Sequence, residues 1–381
     1  MNFLTFLDKK PLYYKAFDPT RMQKAFDSIR DRFTFPQIIH VIGTNGKGST
    51  GRYLAQMLRQ QGQSVGHYTS PHILKFNERL WMNGHDCSNE SIQDAFLQLI
   101  ELLDKKWQEE LSYFEFTTLL SLVLFQDLDV IVLEAGLGGE HDATSVFPNS
   151  LTLVTPIGLD HADFLGSTLI EVAQTKLKAV QKMALIAKQE KEVHDVADML
   201  SKEFGWSLKW VDDFELTLSD QACIDAFYKE NGVDYLVSNF RHALTALRLL
   251  GFNEAINVER ISTIFGRLSQ FSENITIDVG HNMLAAEKIL AHFGNCKVNL
   301  VYNSLVDKPY KEILKLLQPI VKKVLLLPIE GDRAVDIAVL EAYLIGLDMP
   351  YDIFSRTESD ENYLVFGSFL VVESFLKRVN A

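Results

Sequence analysis

The segment Gly43-Thr44-Asn45-Gly46-Lys47-Gly48-Ser49-Thr50 lies between an apolar run, Ile38-Ile39-His40-Val41-Ile42, and a stretch with helical periodicity. Glycines let the backbone turn sharply, so that its amides point inward, and the positive end of the following helix adds to the attraction for an anion. A phosphate fits such a loop: Lys47 would reach the terminal phosphates of a nucleotide, and Ser49 or Thr50 would hold magnesium. The strict pattern G-x-x-x-x-G-K-[ST] is not met, because Val41 stands where the first Gly belongs and Gly48 separates Lys47 from the hydroxyl. Tight packing alone accounts for some Gly-rich strand-to-helix turns. A lysine and two hydroxyls after the glycines favour phosphate.

Two further groups sit at strand ends. Glu134 closes the run DVIVLE and opens onto AGLGGEHDATS, and Asp160-His161 follow LTLVTPIG. A lone carboxylate in such a place is usually a solvated charge. Here three strand ends deliver Ser49, Glu134 and His161 to one edge of a sheet, where open α/β sheets bind ligands. Hard oxygen ligands suit magnesium; histidine is unusual for it, so chemistry alone leaves His161 just outside the ligand set.

The elements that must position these groups follow from periodicity. Strands are expected at 38–42, 130–134, 151–156 and 183–187, with a helix from about Ser49 to Gln60 that stops at Gly62. Strands apolar on both faces and separated by helices imply a parallel sheet covered on both sides. The pattern restarts near residue 275: strands at 275–279, 298–302, 324–327 and 364–366, and helices at 283–293, 310–320, about 333–346 and 369–378. The polar, Ser-rich segment 266–274 reads as a linker. The expected fold class is therefore α/β in two domains, 1–266 and 267–381. There is no short repeat and no low-complexity tract.

Composition narrows the function. At 381 residues the chain is long enough for two or three domains. With 37 Lys and Arg against 50 Asp and Glu, the formal charge of −13 speaks against a broad grip on nucleic acid, while leaving room for a small anion held locally. Three scattered cysteines, Cys87, Cys223 and Cys296, form neither a disulfide framework nor a metal spacing. The opening apolar stretch meets Asp8 before it can serve as a secretory signal, and no apolar run is long enough to span a membrane. A cytoplasmic protein without a membrane or nucleic-acid partner is expected.

Several of these pieces occur together in a familiar order: GTNGKGST, YTSPHILKFNERL, FEFTTLLSLVLF, VIVLEAGLGGEHDATSV, IGLDHADFLGSTLIEVAQTK, FGR and DVGHN. Together they resemble the folylpolyglutamate synthase and dihydrofolate synthase family, relatives of the Mur peptide ligases, from about residue 40 to 310, with a weaker echo in GSFLVVESF. Ser70-Pro71-His72 and Asn77-Glu78-Arg79 point to the folate branch. The resemblance implies a Mur-ligase-like fold: a P-loop-type parallel-sheet ATPase domain and a smaller Rossmann-like C-terminal domain. It also implies an ATP-dependent ligase that joins L-glutamate to dihydropteroate or a reduced folate through an acyl phosphate. ATP and magnesium would be required, and a monomer is expected.

Residue by residue, the resemblance implies Lys47 as the phosphate lysine, within an ATP loop of Thr44, Asn45, Gly46, Lys47, Gly48, Ser49 and Thr50. Ser49, Glu134 and His161 resemble magnesium ligands. Lys176 falls where the family carries a carbamylated lysine that helps hold a second metal, although Thr175 and Lys178 replace its usual Glu and Gly neighbours; the bland alternative is a solvent-facing helix residue. Asn239 resembles the adenine-side Asn that precedes an Ala-rich helix, and Arg267 the arginine near the phosphates. Asp278 would bind the ribose side, His281 would place phosphate or incoming glutamate, and Ser70 resembles a glutamate-site residue. Asn282 also reads as an N-cap. Further departures are Glu140, Ser145 and Pro309, in positions where the family has Arg, Asn and Asp.

Two other readings compete. A Mur-type ligase acting on a UDP-linked cell-wall precursor would usually carry a further N-terminal domain, and only about 35 residues precede the first strand here. A catalytically silent nucleotide-binding protein would have no reason to keep Lys47, Glu134, His161 and Asp278 together.

Overall fold

The computed structural model describes residues 1–12 and 18–379; Tyr13 and Tyr14 of the opening stretch lie outside them. Eight strands build the first sheet: β1 (Gln37–Ile42), β2 (Val65–Tyr68), β3 (Leu80–Met82), β4 (His85–Asp86), β5 (Val130–Glu134), β6 (Leu151–Val154), β7 (Met183–Ile186) and β8 (Ser207–Trp210). Their order is β4-β3-β2-β5-β1-β6-β7-β8, and every neighbouring pair is parallel except β2 with β3 and β3 with β4, so that β3 alone runs against the rest. Ile38, Ile39, Val41 and Ile42 of β1 are buried although they point to opposite faces. That is the reason the strand is apolar throughout: helices cover both sides. The helix Lys47–Gln60 packs on the helix Asp234–Leu249, with Tyr53, Leu54, Met57 and Leu58 in one core with Phe240, Leu244 and Leu247.

The second domain carries β9 (Ser269–Ser272), β10 (Ile275–Ile277), β11 (Val298–Tyr302), β12 (Val321–Leu326), β13 (Tyr351–Ile353) and β14 (Tyr363–Phe366), in the order β13-β12-β11-β14-β10-β9. All pairs are parallel except β9 with β10. The segment expected as a linker thus contains a strand. Its alternating side chains are only half-buried at the sheet edge, which is why its polar composition hides it. Several boundaries also differ from expectation. The helix expected from about Ser49 begins at Lys47, inside the glycine run. The strands expected at 151–156 and 275–279 end at Val154 and Ile277, and the one expected at 324–327 begins at Val321. The helix expected from 333 begins at Ile337, where Asp336 caps it, and Asn239 lies within the helix Asp234–Leu249, not ahead of it.

The two domains share one apolar contact zone. Ile73, from the loop after β2, belongs to the core formed by Ile275, Ile277, Val279, Val365 and Phe375 of the second domain. Gly266, at φ +81°, lets the chain pass this point: a Cβ there would fall 2.9 Å from Ile73 Cδ1 and from a methyl of Val279.

Candidate active site

The strands β5, β1 and β6 are immediate neighbours, and Val41 of β1 is level with both Glu134 and Leu153. Their C-terminal ends therefore open at the same height, as the sequence suggested. Gly46 caps the helix Lys47–Gln60 in the left-handed region at φ +88°, and a Cβ there would lie 2.6 Å from Asn239 Oδ1. Asn239 and the glycine thus form a close pair at the helix entrance. The first-turn amides of this helix have no intrahelical acceptor and carry the positive end of its dipole. The amides of Thr44 and Asn45 instead donate to Pro156 O (2.9 and 3.3 Å), and the Thr44 hydroxyl donates to Gly158 O (2.9 Å). These two residues anchor the loop to the segment after β6, while the inward-facing donors come from the helix itself.

Among the described residues, Ser49 Oγ and Thr50 Oγ1 are buried with no hydrogen-bond partner. A buried hydroxyl without a partner is costly, and a ligand oxygen or metal ion satisfies it. Lys47 Nζ lies 3.3 Å from Gly43 O, 3.2 Å from Thr44 O and 4.0 Å from Glu134 Oε1. Glu134 is buried, and its Oε2 accepts from the Thr69 hydroxyl and from Ser70 N (3.3 Å). Ser70 therefore stands on the Glu134 side of the cleft. Lys176, on the helix Leu169–Leu177, is buried rather than solvent-facing and donates to Gly43 O (2.9 Å). Burial, reinforced by the charge of Lys47, pushes its ammonium down to about 7. A substantial uncharged fraction at neutral pH is the form that reacts with carbon dioxide to give a carbamate.

Across the cleft, Asp278 follows β10. It accepts from Tyr235 Oη–H (2.9 Å), Leu268 N (2.9 Å) and Gly280 N (2.7 Å). Burial raises its carboxyl above the usual range, against the opposing charge of Arg267. Arg267 itself stacks over Phe369, 5.3 Å from the ring centroid. Asn282 caps the helix Met283–Phe293 and exchanges both amide bonds with Asn45 at 2.9 Å, so the second domain touches the phosphate loop directly.

His161 and His281 meet in a third group around Asp160. Lys308 Nζ is 2.6 Å from Asp160 Oδ1 and 3.2 Å from His161 Nε2; His281 Nε2 is 3.6 Å and Asn282 Nδ2 3.2 Å from Asp160 Oδ2. The donor atoms of Asp160, His161 and His281 lie within 4.8 Å of one another, a spacing that suits a cation. Burial alone would raise the Asp160 carboxyl, but the bond and charge of His281 and the ammonium of Lys308 hold it well below the usual carboxylate range. Burial brings His161 down to about 4, so it is a neutral imidazole at physiological pH. Its backbone is left-handed, at φ +51°, an uncommon state for a non-glycine residue.

The four expected metal ligands differ in their immediate partners, although the Asp160 charge beside His161 also reaches Lys176. Ser49, Glu134 and Lys176 surround the phosphate loop, whereas His161 makes its contacts with Asp160 and Lys308. Sequence reasoning did not put Asp160, Lys308, Tyr235 or Thr69 among the site residues. Asp160 carried a signal, since it stands next to His161 at a strand end. Tyr235 carried none, because its partner is 43 residues away.

No family model matches the chain. A dihydrofolate synthase/folylpolyglutamate synthase of Escherichia coli is 32% identical over 376 residues, covering 91% of this chain and 87% of the relative. The chain belongs to the dihydrofolate synthase/folylpolyglutamate synthase family. Members of that family are ATP-dependent ligases, and this synthase is one of them. Solved structures agree over nearly the whole length. The Helicobacter pylori folylpolyglutamate synthetase is 36% identical with a TM-score of 0.79, covering 99% of this chain and 97% of that one. E. coli FolC in complex with DHPP and ADP gives 26% and 0.81, with 99% and 96% covered. The bifunctional Yersinia pestis enzyme complexed with AMPPNP and Mn ion gives 25% and 0.79, with 99% and 97% covered. The synthase shares with them its two mixed-sheet α/β domains.

Proposed function

We propose that this chain joins L-glutamate to dihydropteroate, to a reduced folate, or to both, with the residues gathered in the cleft. The observation that carries the proposal is the convergence of Lys47, Ser49 and Glu134 at the ends of β1 and β5, faced by Asp278, His281 and Asn282 of the second domain. A carboxylate is a poor electrophile at neutral pH, so it must be activated. Its oxygen attacks the γ-phosphorus of ATP, the bond to the β-phosphate oxygen breaks, and ADP and an acyl phosphate form. The glutamate nitrogen then attacks the acyl carbon, the carbon–oxygen bond to phosphate breaks, and the nitrogen gives up its proton as the amide forms.

In this scheme Lys47 and the helix amides offset charge on the β- and γ-phosphates. Gly46, Gly48 and Thr50 shape that cradle, and Thr44 and Asn45 brace it. Asn239 borders the adenine, Asp278 and Arg267 the ribose and phosphates, and His281 guides the incoming amine. Ser49, Glu134, His161 and a carbamylated Lys176 would hold magnesium, whose charge, when bound, favours the transferring phosphoryl group. The orphaned hydroxyl of Ser49, the buried carboxylate and the readily neutralised Lys176 are a donor set that suits it. Ser70, beside Glu134, would border the incoming glutamate. Domains of 1–266 and 267–381, a monomer and a cytoplasmic setting complete the reading; the three cysteines are free, and no helix among the described residues is long and apolar enough to cross a membrane.

The deciding experiment measures ADP release and product mass with magnesium, ATP and L-glutamate, using dihydropteroate or tetrahydrofolate as acceptor. A glutamate-sized mass gain on the first establishes dihydrofolate synthesis, and a gain on the second adds polyglutamylation. Folded protein that binds ATP but extends neither acceptor would refute the proposal.

A further inference from the structure

Lys308 stands on the loop after β11, and that loop is tied from several sides. Asn303 Nδ2 donates to Leu327 O (2.8 Å), Val306 N to Arg333 O (2.9 Å) and Lys308 N to Leu305 O (3.0 Å), while Arg333 Nη2 grips Asp307 Oδ1 (2.7 Å). The Lys308 side chain is only 3% exposed. A lysine is almost never buried so deeply unless it is paired. Its ammonium leaves its own domain and ends on Asp160 and His161 of the first. His281 and Asn282 converge on the same carboxylate, so three side chains of the second domain share one anchor on the first.

A buried ion pair contributes little net stability, because desolvation offsets most of the attraction; its best-attested use is to specify one arrangement over its neighbours. Lys308 has the geometry for that use. It is fixed at its base, and its head reaches the residues that border the cleft.

We propose that Lys308 is a positioning residue of the ligation: by gripping Asp160 it fixes the second domain against the first in the arrangement that sets His281 beside the phosphate loop. The inference rests on the ligase reading and adds to it a reason for faithful coupling. An acyl phosphate has two fates. The glutamate nitrogen can take the acyl group, or a water oxygen can add to the same carbon, break its bond to phosphate and leave the free acid, inorganic phosphate and a proton. A cleft held shut favours the first by excluding water.

The test follows ADP and amide product in the same reaction for the wild type, Lys308→Met, Lys308→Arg and Asp160→Asn, beside small-angle scattering of each unloaded protein. Lys308→Met is expected to form amide roughly 10²-fold more slowly, the penalty of a modest misplacement at the reacting centre. It should release more than one ADP per amide, keep the wild-type KM for ATP and scatter as a more extended particle. Lys308→Arg retains the charge and should recover part of the coupling. Lys308→Met that makes amide at the wild-type rate with one ADP each would overturn the proposal. Should that variant fail to fold by circular dichroism, Asp160→Asn decides by the same ratio. A wild type that forms no amide at all sinks the ligase reading instead, and the scattering difference then still tests the grip between domains.

Discussion

At the scale of single residues, the site depends on charges placed where water is scarce. Lys47 sits at the mouth of a helix whose first amides face the same way, so its ammonium, in the proposed role, would act on phosphate with little competition from solvent. Lys47→Ala is expected to keep the fold and lose amide formation by about 10²–10³-fold, as removal of one preorganised donor does elsewhere. Steady-state rates with a circular-dichroism control check this. Lys176 offers a second expectation. With its ammonium pushed down to about 7, a large part is neutral at pH 7.5 and open to carbon dioxide. Protein equilibrated with ¹³C-bicarbonate should show one carbamate resonance that is absent in Lys176→Ala and weakens below pH 7, where protonation of the amine competes. A spectrum identical for the two proteins would remove the carbamate from the site.

Among the elements, the helices behind the phosphate loop bear the load of holding it. Arg248 on Asp234–Leu249 meets Asp220 on the neighbouring helix at 2.7 Å, with side-chain exposures of only 10% and 2%. Removing one partner leaves a buried charge uncompensated, so Arg248→Ala should cost about 3 kcal/mol or more, read as a shift in the urea midpoint. These elements were unevenly legible in the sequence. The run 38–42 followed by glycines and a lysine announced a strand, a turn and an anion site, because periodicity and turn chemistry agree there. The helix Tyr113–Phe125 is buried almost all round and shows no polar face, so periodicity could not mark it. Strand β2 reads Val-Gly-His-Tyr, a poor local signal that pairing on both sides overrides. The Asp160–Lys308 contact spans 148 positions, and nothing local in either segment points to the other.

Over the whole molecule, buried neutral imidazoles tie stability to pH. His40 and His242 are fully buried, and burial brings both down to about 4; His67 is also held well below its ordinary value. For a group whose pKa is lower in the folded protein, the unfolded chain takes up the proton first. Stability is therefore complete above about 6.5 and falls as the pH drops toward 4, approaching about 1.4 kcal/mol per histidine per pH unit. Urea midpoints at pH 7.5 and 5.5 should differ in that direction; equal values would mean that these imidazoles titrate normally.

Ile73 carries a different consequence. A residue of one domain that belongs to the core of the other makes neither core complete by itself, so the two should melt as a single calorimetric unit, with one heat-absorption peak whose van't Hoff and calorimetric enthalpies agree. Ile73→Ala should divide that peak in two while each half keeps its own strands. The same side chain rides on the loop that brings Thr69 and Ser70 to Glu134, so mechanical slack at one methyl would be felt at the carboxylate.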